Sequence, residues 1–190
     1  MALLSSHNRI IWQYFQCLRR LINRIETIQD EEEKKQDIAL CIFMAVTTVE
    51  AFFNIYFRIL IDEDPFSKNR ERILSDLERK KSLDYKIKNW PKMVFDKTLN
   101  LSDGYPSNFL NLKDLRNRLV HFVSSYETVT IPSISIQGLA DAAALDNLEL
   151  KDAISSHEIA AGMLKEIFIL RGMSDDQIRG AIHLWTGCII

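Results

Sequence analysis

The feature that most constrains the fold is a long, almost uninterrupted apolar stretch at residues 38–61. About 20 apolar residues can span a bilayer as a helix, so a membrane segment has to be considered. The stretch also carries Glu50, Asn54 and Arg58, whose side chains are costly to place in lipid. We therefore interpret it as the central helix of a soluble protein with no membrane segment, covered by other helices on most sides.

Signals for helices dominate the rest of the chain. Apolar residues recur at steps of three and four, and capping or helix-breaking residues stand between the repeats. These patterns predict helices at residues 6–28, 30–61, 68–80, 92–99, 109–126, 156–171 and from 174 onward, with a break at Trp90-Pro91 and a loop at 101–108. Alternating polar and apolar residues around Pro132 predict an extended segment or small hairpin near residues 127–138. The predicted fold class is all-α, a bundle of four to six helices with this minor extended segment.

Length and charge narrow the organisation and the function. The 190 residues fit a single domain, and the net charge of -2 argues against binding nucleic acid through bulk charge. Residues 68–97 nevertheless carry roughly twice as many basic as acidic side chains, which makes them the positive region of the chain.

The three cysteines, Cys17, Cys41 and Cys188, are scattered and lack metal-ligand spacing. We therefore expect no metal and no cofactor, and we expect reduced, buried thiols in a cytoplasmic protein. The first residues lack the pattern of a secretory signal, which agrees with that location. His157 has no partner nearby in sequence and is expected at the surface.

The segment LKDLRNRLVHF, residues 112–122, has an unusual pattern for a helix. At about 100° per residue its leucines and Phe122 fall on one stripe, which should pack into the bundle. Asn117 and His121 are four residues apart and lie opposite that stripe, with Arg116 at its border. Histidine moves protons near neutral pH and arginine holds phosphate in a bidentate fork, so this face suits a phosphate ligand or a second subunit.

The motif R-N-x-x-x-H at residues 116–121 resembles the motif of the HEPN superfamily, named for higher eukaryotes and prokaryotes nucleotide-binding domains. The earlier segment AVTTVEAFFN, residues 45–54, looks like the long apolar helix that precedes the motif helix in that family. The resemblance implies a HEPN-like bundle that forms a homodimer with two motif helices facing each other. It also implies a metal-independent endoribonuclease, such as the toxins of toxin–antitoxin modules and other defence proteins, with an antitoxin or nucleotidyltransferase as a partner.

The resemblance assigns a role to each motif residue. His121 would be the general base or acid for the 2′-hydroxyl of RNA as it attacks the neighbouring phosphate. Arg116 would orient and neutralise that phosphate, and Asn117 would position the histidine or the phosphate. Glu50, a polar residue on the earlier helix, would hold Arg116 in place.

Two alternatives remain open from the sequence. One is a HEPN domain without catalysis that binds nucleotide, RNA or a protein partner, and the other is a helical interaction protein with an accidental motif. Residues 127–147 lie outside the family's minimal bundle and are interpreted as an insertion. The slightly acidic chain would have to contact RNA through the basic stretch at residues 68–97.

Overall fold

The computed structural model describes residues 7–63, 68–120, 128–131, 134–137 and 142–188. These residues form an all-α bundle with one small hairpin, as the sequence predicts. The helices are α1 (Arg9–Ile25), α2 (Glu31–Glu63), α3 (Arg70–Glu78), α4 (Leu83–Phe95), α5 (Gly104–Val120), α6 (Ala142–Asp146), α7 (Leu150–Arg171) and α8 (Asp175–Thr186). The strands β1 (Thr128–Ile131) and β2 (Ile134–Gln137) pair antiparallel, with Val129 opposite Ile136.

Helix α2 is the centre of the bundle. It packs against α1, α3, α4, α5, α6 and α7, and its buried residues lie on all sides of the helix. Within the described residues it is the one helix long and apolar enough to cross a membrane by length and composition, and 56% of its apolar window is buried. Packing inside the bundle therefore accounts for much of its hydropathy.

The predicted break at Trp90-Pro91 and the predicted short helix at residues 92–99 are wrong. Helix α4 runs through Pro91 and ends at Phe95, where Asp96 adopts a left-handed backbone with φ 55°. A proline inside a helix costs about 3 kcal/mol. Here Trp90 and Pro91 are both buried, and burying each large apolar side chain contributes roughly 1.5–3 kcal/mol, which offsets that cost.

The motif helix begins earlier than predicted. Helix α5 starts at Gly104, inside the predicted loop at residues 101–108, and Asp103 Oδ1 accepts a hydrogen bond from Gly104 N at 2.7 Å. Pro106 lies in the first turn, where a missing N–H forfeits no helical hydrogen bond. The predicted continuation of this helix at residues 121–126 lies outside the described residues.

The last two helices show clear end signals. Gly172 ends α7 with φ 84°, and Ser174 begins α8 in a reciprocal capping pair with Gln177. Helix α7 starts at Leu150 and not near Ser156, because Asp152 Oδ2 accepts a hydrogen bond from Glu149 N at 2.8 Å and caps the helix there. Ser156 lies inside the helix, where its buried hydroxyl donates to Ala153 O at 2.7 Å.

Candidate functional site

On helix α5, Asn117 lies opposite the leucines, and Arg116 lies at the border of their stripe. Leu112 is buried, and Leu115 and Leu119 pack against the core, which confirms the predicted apolar stripe up to residue 120. Arg116 and Asn117 are half-buried. Within the part of the chain that the structure describes, neither of their side chains forms a hydrogen bond or an ion pair. A guanidinium and a carboxamide thus stand next to each other without a partner from the described bundle.

The third motif residue, His121, lies outside the described residues, as does Phe122. The described part of the site therefore ends at Val120. That valine is 46% exposed on the same helix, so an apolar side chain borders the motif at the surface.

Glu50 makes an ion pair that the sequence did not predict. Its carboxylate lies 3.7 Å from Nζ of Lys86 on α4. No hydrogen bond or ion pair joins Glu50 to Arg116 within the described ranges. Glu50, Asn54 and Arg58 are each four residues apart and form a polar stripe on α2. Lys86 also donates to Asn54 Oδ1 at 2.8 Å, so Glu50 and Asn54 share one lysine. Arg58 pairs with Asp62 on its own helix at 2.9 Å.

Lys86 is the residue near the site that sequence reasoning missed. Its side chain is only 4% exposed, and its ammonium lies 5.5 Å from the centre of the Trp90 ring. No sequence motif marks a buried lysine, and Lys86 stands in a stretch with many exposed lysines. The sequence indicates such a partner only on α2, because a polar stripe on an otherwise apolar helix requires a polar partner.

A second lysine fixes the motif helix to its neighbour. Lys113, one turn before Arg116 and Asn117, lies 2.5 Å from Asp84 Oδ1 on α4. Lys113 is also 3.6 Å from Asp114. Its positive charge is therefore balanced by two carboxylates, whereas Arg116 and Arg118 have no such partner within the described residues.

The basic stretch at residues 68–97 is less positive in the fold than in the sequence. Arg70 pairs with Asp62, Lys86 with Glu50, and Lys92 with Asp96. The basic residues of the stretch that are exposed and form no ion pair within the described residues are Lys68, Arg72, Arg79, Lys80, Lys88 and Lys97. These six are the side chains available for phosphate contacts.

A groove of about 310 Å³ lies on another flank of α5, between this helix and α7. Its polar rim and its apolar floor come from both helices. The rim is formed by Asn108, Asn111, Arg118, Asp152 and Ser155, and the floor by Leu112, Leu115 and Ile159. Amides above an apolar floor suit a planar polar ligand, with donors and acceptors for its edge.

Within the described ranges, no group of three or more His, Cys, Asp or Glu side chains is arranged to hold a metal ion. Comparisons with protein family models, with curated proteins and with solved structures give no match to this chain.

Proposed function

We propose that this protein is a HEPN-type endoribonuclease that cleaves RNA without a metal ion, at a cleft between two copies of helix α5. The observation that carries the proposal is the adjacent pair Arg116 and Asn117, half-buried and without a partner in the described bundle, one turn from His121. An arginine without a partner among the described residues is suited to a phosphate.

The proposed chemistry uses the RNA's own nucleophile. His121 removes the proton from a 2′-hydroxyl, whose oxygen attacks the adjacent phosphorus while the bond to the 5′-oxygen breaks. An acid, which the His121 of the second copy can supply, protonates the leaving 5′-oxygen. Arg116 stabilises the added negative charge on the phosphate, and Asn117 orients the phosphate or the imidazole. The products are a 2′,3′-cyclic phosphate and a 5′-hydroxyl.

The role of Glu50 in the proposal differs from the one that the resemblance implies. Its ion pair with Lys86 stabilises the contact between α2 and α4 beside the motif helix. We therefore propose that Glu50 supports the site through Lys86 and not through direct contact with Arg116.

The proposal includes a homodimer, a cytoplasmic location and an antitoxin or nucleotidyltransferase partner. The exposed Val120 beside the motif supports a dimer contact at this face. Cys17, Cys41 and Cys188 are free, and reduced thiols are typical of cytoplasmic proteins. Sedimentation of wild type and Val120→Asp tests the dimer, and a wild-type protein that sediments as a monomer contradicts it.

The test of catalysis is incubation of the purified full chain with mixed RNA in EDTA. We expect cleavage with cyclic-phosphate ends, and a loss of about 100-fold or more with His121→Ala or Arg116→Ala. Arg118→Ala is the matched control, because Arg118 is an exposed arginine on the same helix that faces the groove. Cleavage that survives His121→Ala overturns the assignment.

A second function is favoured by the groove between α5 and α7. A HEPN-type domain without catalysis could bind a nucleotide there, with Asn111 at its rim and Leu115 on its floor. Binding of a nucleotide that Asn111→Leu abolishes, together with no cleavage by the wild type, supports this alternative. If the wild type neither cleaves RNA nor binds a nucleotide, the chain is instead a helical interaction protein.

A further inference from the structure

A cluster of nucleophilic, basic and cationic side chains lies away from the motif, where α1, α7 and the end of α8 meet. Helix α1 contributes Arg19, and α7 contributes His157. Cys188 lies two residues after Thr186, the last residue of α8. Gly187 allows this arrangement, since its φ is 70° and a Cβ there would lie 2.5 Å from Trp12 Nε1. The chain can therefore turn closely against α1, which brings the Cys188 thiol to Arg19.

Arg19 is held in place beside the sulfur. One of its terminal nitrogens donates to Cys188 Sγ at 2.6 Å, and the other donates to Thr186 O at 2.9 Å. The Cys188 N–H donates to Thr186 Oγ1 at 3.0 Å, which fixes the backbone on the other side. A guanidinium can only donate hydrogen bonds, so the Cys188 sulfur is the acceptor in this contact.

His157 supplies a base near the same sulfur. Its Nε2 lies 3.9 Å from Cys188 Sγ, and its ring packs edge-on against Phe15 with centres 5.5 Å apart. Burial, followed by the positive charge of Arg19, lowers the pKa of His157 below its usual value. The imidazole is therefore neutral at pH 7 and can accept the proton of the thiol. His157 is thus half-buried in a cluster and not the surface residue that the sequence predicted.

The other two cysteines lack this environment. Cys41 is buried inside α2, and burial raises the pKa of its thiol to about 12. Cys17 is half-buried, and no arginine, lysine or histidine hydrogen-bonds to its sulfur within the described residues. Cys188 therefore differs from both by its contacts and not merely by its exposure.

We propose that Cys188 is a nucleophilic thiol whose substrate class is small-molecule disulfides. After proton transfer to His157, the thiolate attacks one sulfur of the disulfide. The bond between the two disulfide sulfurs breaks, one half leaves as a thiolate, and the other half stays bound to Cys188. The mixed disulfide would separate Cys188 from Arg19, so oxidised small thiols could loosen the contact between α1 and the end of α8. This proposal does not depend on the proposed RNase activity.

The test is the rate of alkylation of each cysteine in the folded chain by iodoacetamide at pH 7, read by mass spectrometry. We expect Cys188 to react about 10-fold faster than Cys17, because a guanidinium and an imidazole lie beside the Cys188 sulfur, and we expect no labelling of Cys41. Arg19→Gln and His157→Phe should each slow Cys188 several-fold. Arg20→Gln is the matched control, because Arg20 is the exposed neighbour on α1 and should leave the rate unchanged.

Two more measurements separate reactivity from folding. Circular dichroism shows whether Arg19→Gln is folded. If it is not, Arg19→Lys takes its place in the test, because it retains a positive charge and should preserve part of the Cys188 rate. Oxidised glutathione should add one glutathione at Cys188 and none at Cys41. Equal rates for Cys188 and Cys17, or a Cys188 rate unchanged in both Arg19 variants, would overturn the proposal.

Discussion

At the scale of single residues, the bundle accommodates a buried charge at Lys86. An isolated ammonium in an apolar interior is very costly, and proteins keep such groups only when they are paired and hydrogen-bonded. Lys86 has a hydrogen bond to Asn54, an ion pair with Glu50 and an aromatic face nearby at Trp90. Since Glu50 is 41% exposed, water also solvates part of this pair.

We expect Lys86→Met to lower the free energy of unfolding by roughly 1–3 kcal/mol, because it leaves the Asn54 oxygen without its donor in a partly buried place. Urea unfolding measures this change. Lys88→Met is the control on the same helix, since Lys88 is exposed and its replacement should stay within about 0.5 kcal/mol of wild type. A Lys86→Met protein as stable as wild type would show that the buried pair contributes no net stability.

His157 predicts a defined pH dependence of stability. Its pKa in the folded state is lowered by burial and by Arg19, so the unfolded chain binds a proton more readily than the folded one. Stability is therefore intact above about pH 6.5, the ordinary pKa of histidine, and falls as the pH drops through the folded pKa. Thermal unfolding at pH 7.5 and pH 5 should therefore show a smaller loss for His157→Phe than for wild type.

The control for this pH effect is His183→Phe, which changes an exposed histidine on α8. It should lose as much stability between pH 7.5 and pH 5 as wild type does, because it retains His157. Apart from His157 and His183, the three proteins have the same titrating groups. If His157→Phe loses as much stability on acidification as wild type, the buried imidazole is not the source of the effect.

At the scale of elements, the motif helix is positioned by a close contact with α7. The Tyr105 ring in the first turn of α5 lies directly over Gly162 in the middle of α7. A Cβ on Gly162 would lie 2.2 Å from that ring, so only glycine allows the two helices to approach so closely. The start of α5, and with it the helix that carries Arg116, depends on this position.

We expect Gly162→Ala to destabilise the protein by about 1–3 kcal/mol, because the added methyl group forces the Tyr105 ring to move. Gly180→Ala in α8 is the matched control, since nothing lies within 4 Å of a Cβ there. That substitution should stabilise by about 0.5–1 kcal/mol, as alanine is the better helix former. Urea unfolding of both variants gives the two opposite signs, and a stabilising Gly162→Ala would contradict the contact.

Some elements follow from local sequence patterns, and others do not. The central position of α2 follows from an apolar helix, and the ends of α7 and α8 follow from Gly172 and Ser174, because these are local patterns. The course of α4 through Pro91 depends on tertiary burial, which no local pattern encodes.

The candidate site likewise has parts that the sequence predicts and parts that it does not. The leucine stripe of α5 predicted which side faces the core, with Asn117 on the other side and Arg116 at the border of the stripe. The partner of Glu50 could not be predicted, because Lys86 is far away in sequence and its burial depends on how α4 packs against α2. Likewise, the approach of Cys188 to Arg19 joins the two ends of the described chain.

At the scale of the whole molecule, one aromatic network connects four helices of the bundle. Phe57 on α2 contacts Trp90 on α4, with ring centres 5.5 Å apart. One turn earlier on α2, Phe52 contacts Trp185 on α8 at 5.1 Å and Phe168 on α7 at 5.7 Å. These rings belong to a single continuous core, so elements distant in sequence are stabilised by the same central helix.

This common core predicts that the two ends of the network unfold together. In a Trp12→Phe background, one further change leaves either Trp90 or Trp185 as the only tryptophan. The fluorescence of each protein should have the same urea midpoint as its far-ultraviolet circular dichroism, because a single domain with one core unfolds in one cooperative step. Separate midpoints for the Trp90 and Trp185 probes, each measured against its own circular dichroism, would instead mean that α4 and α8 belong to two folding units.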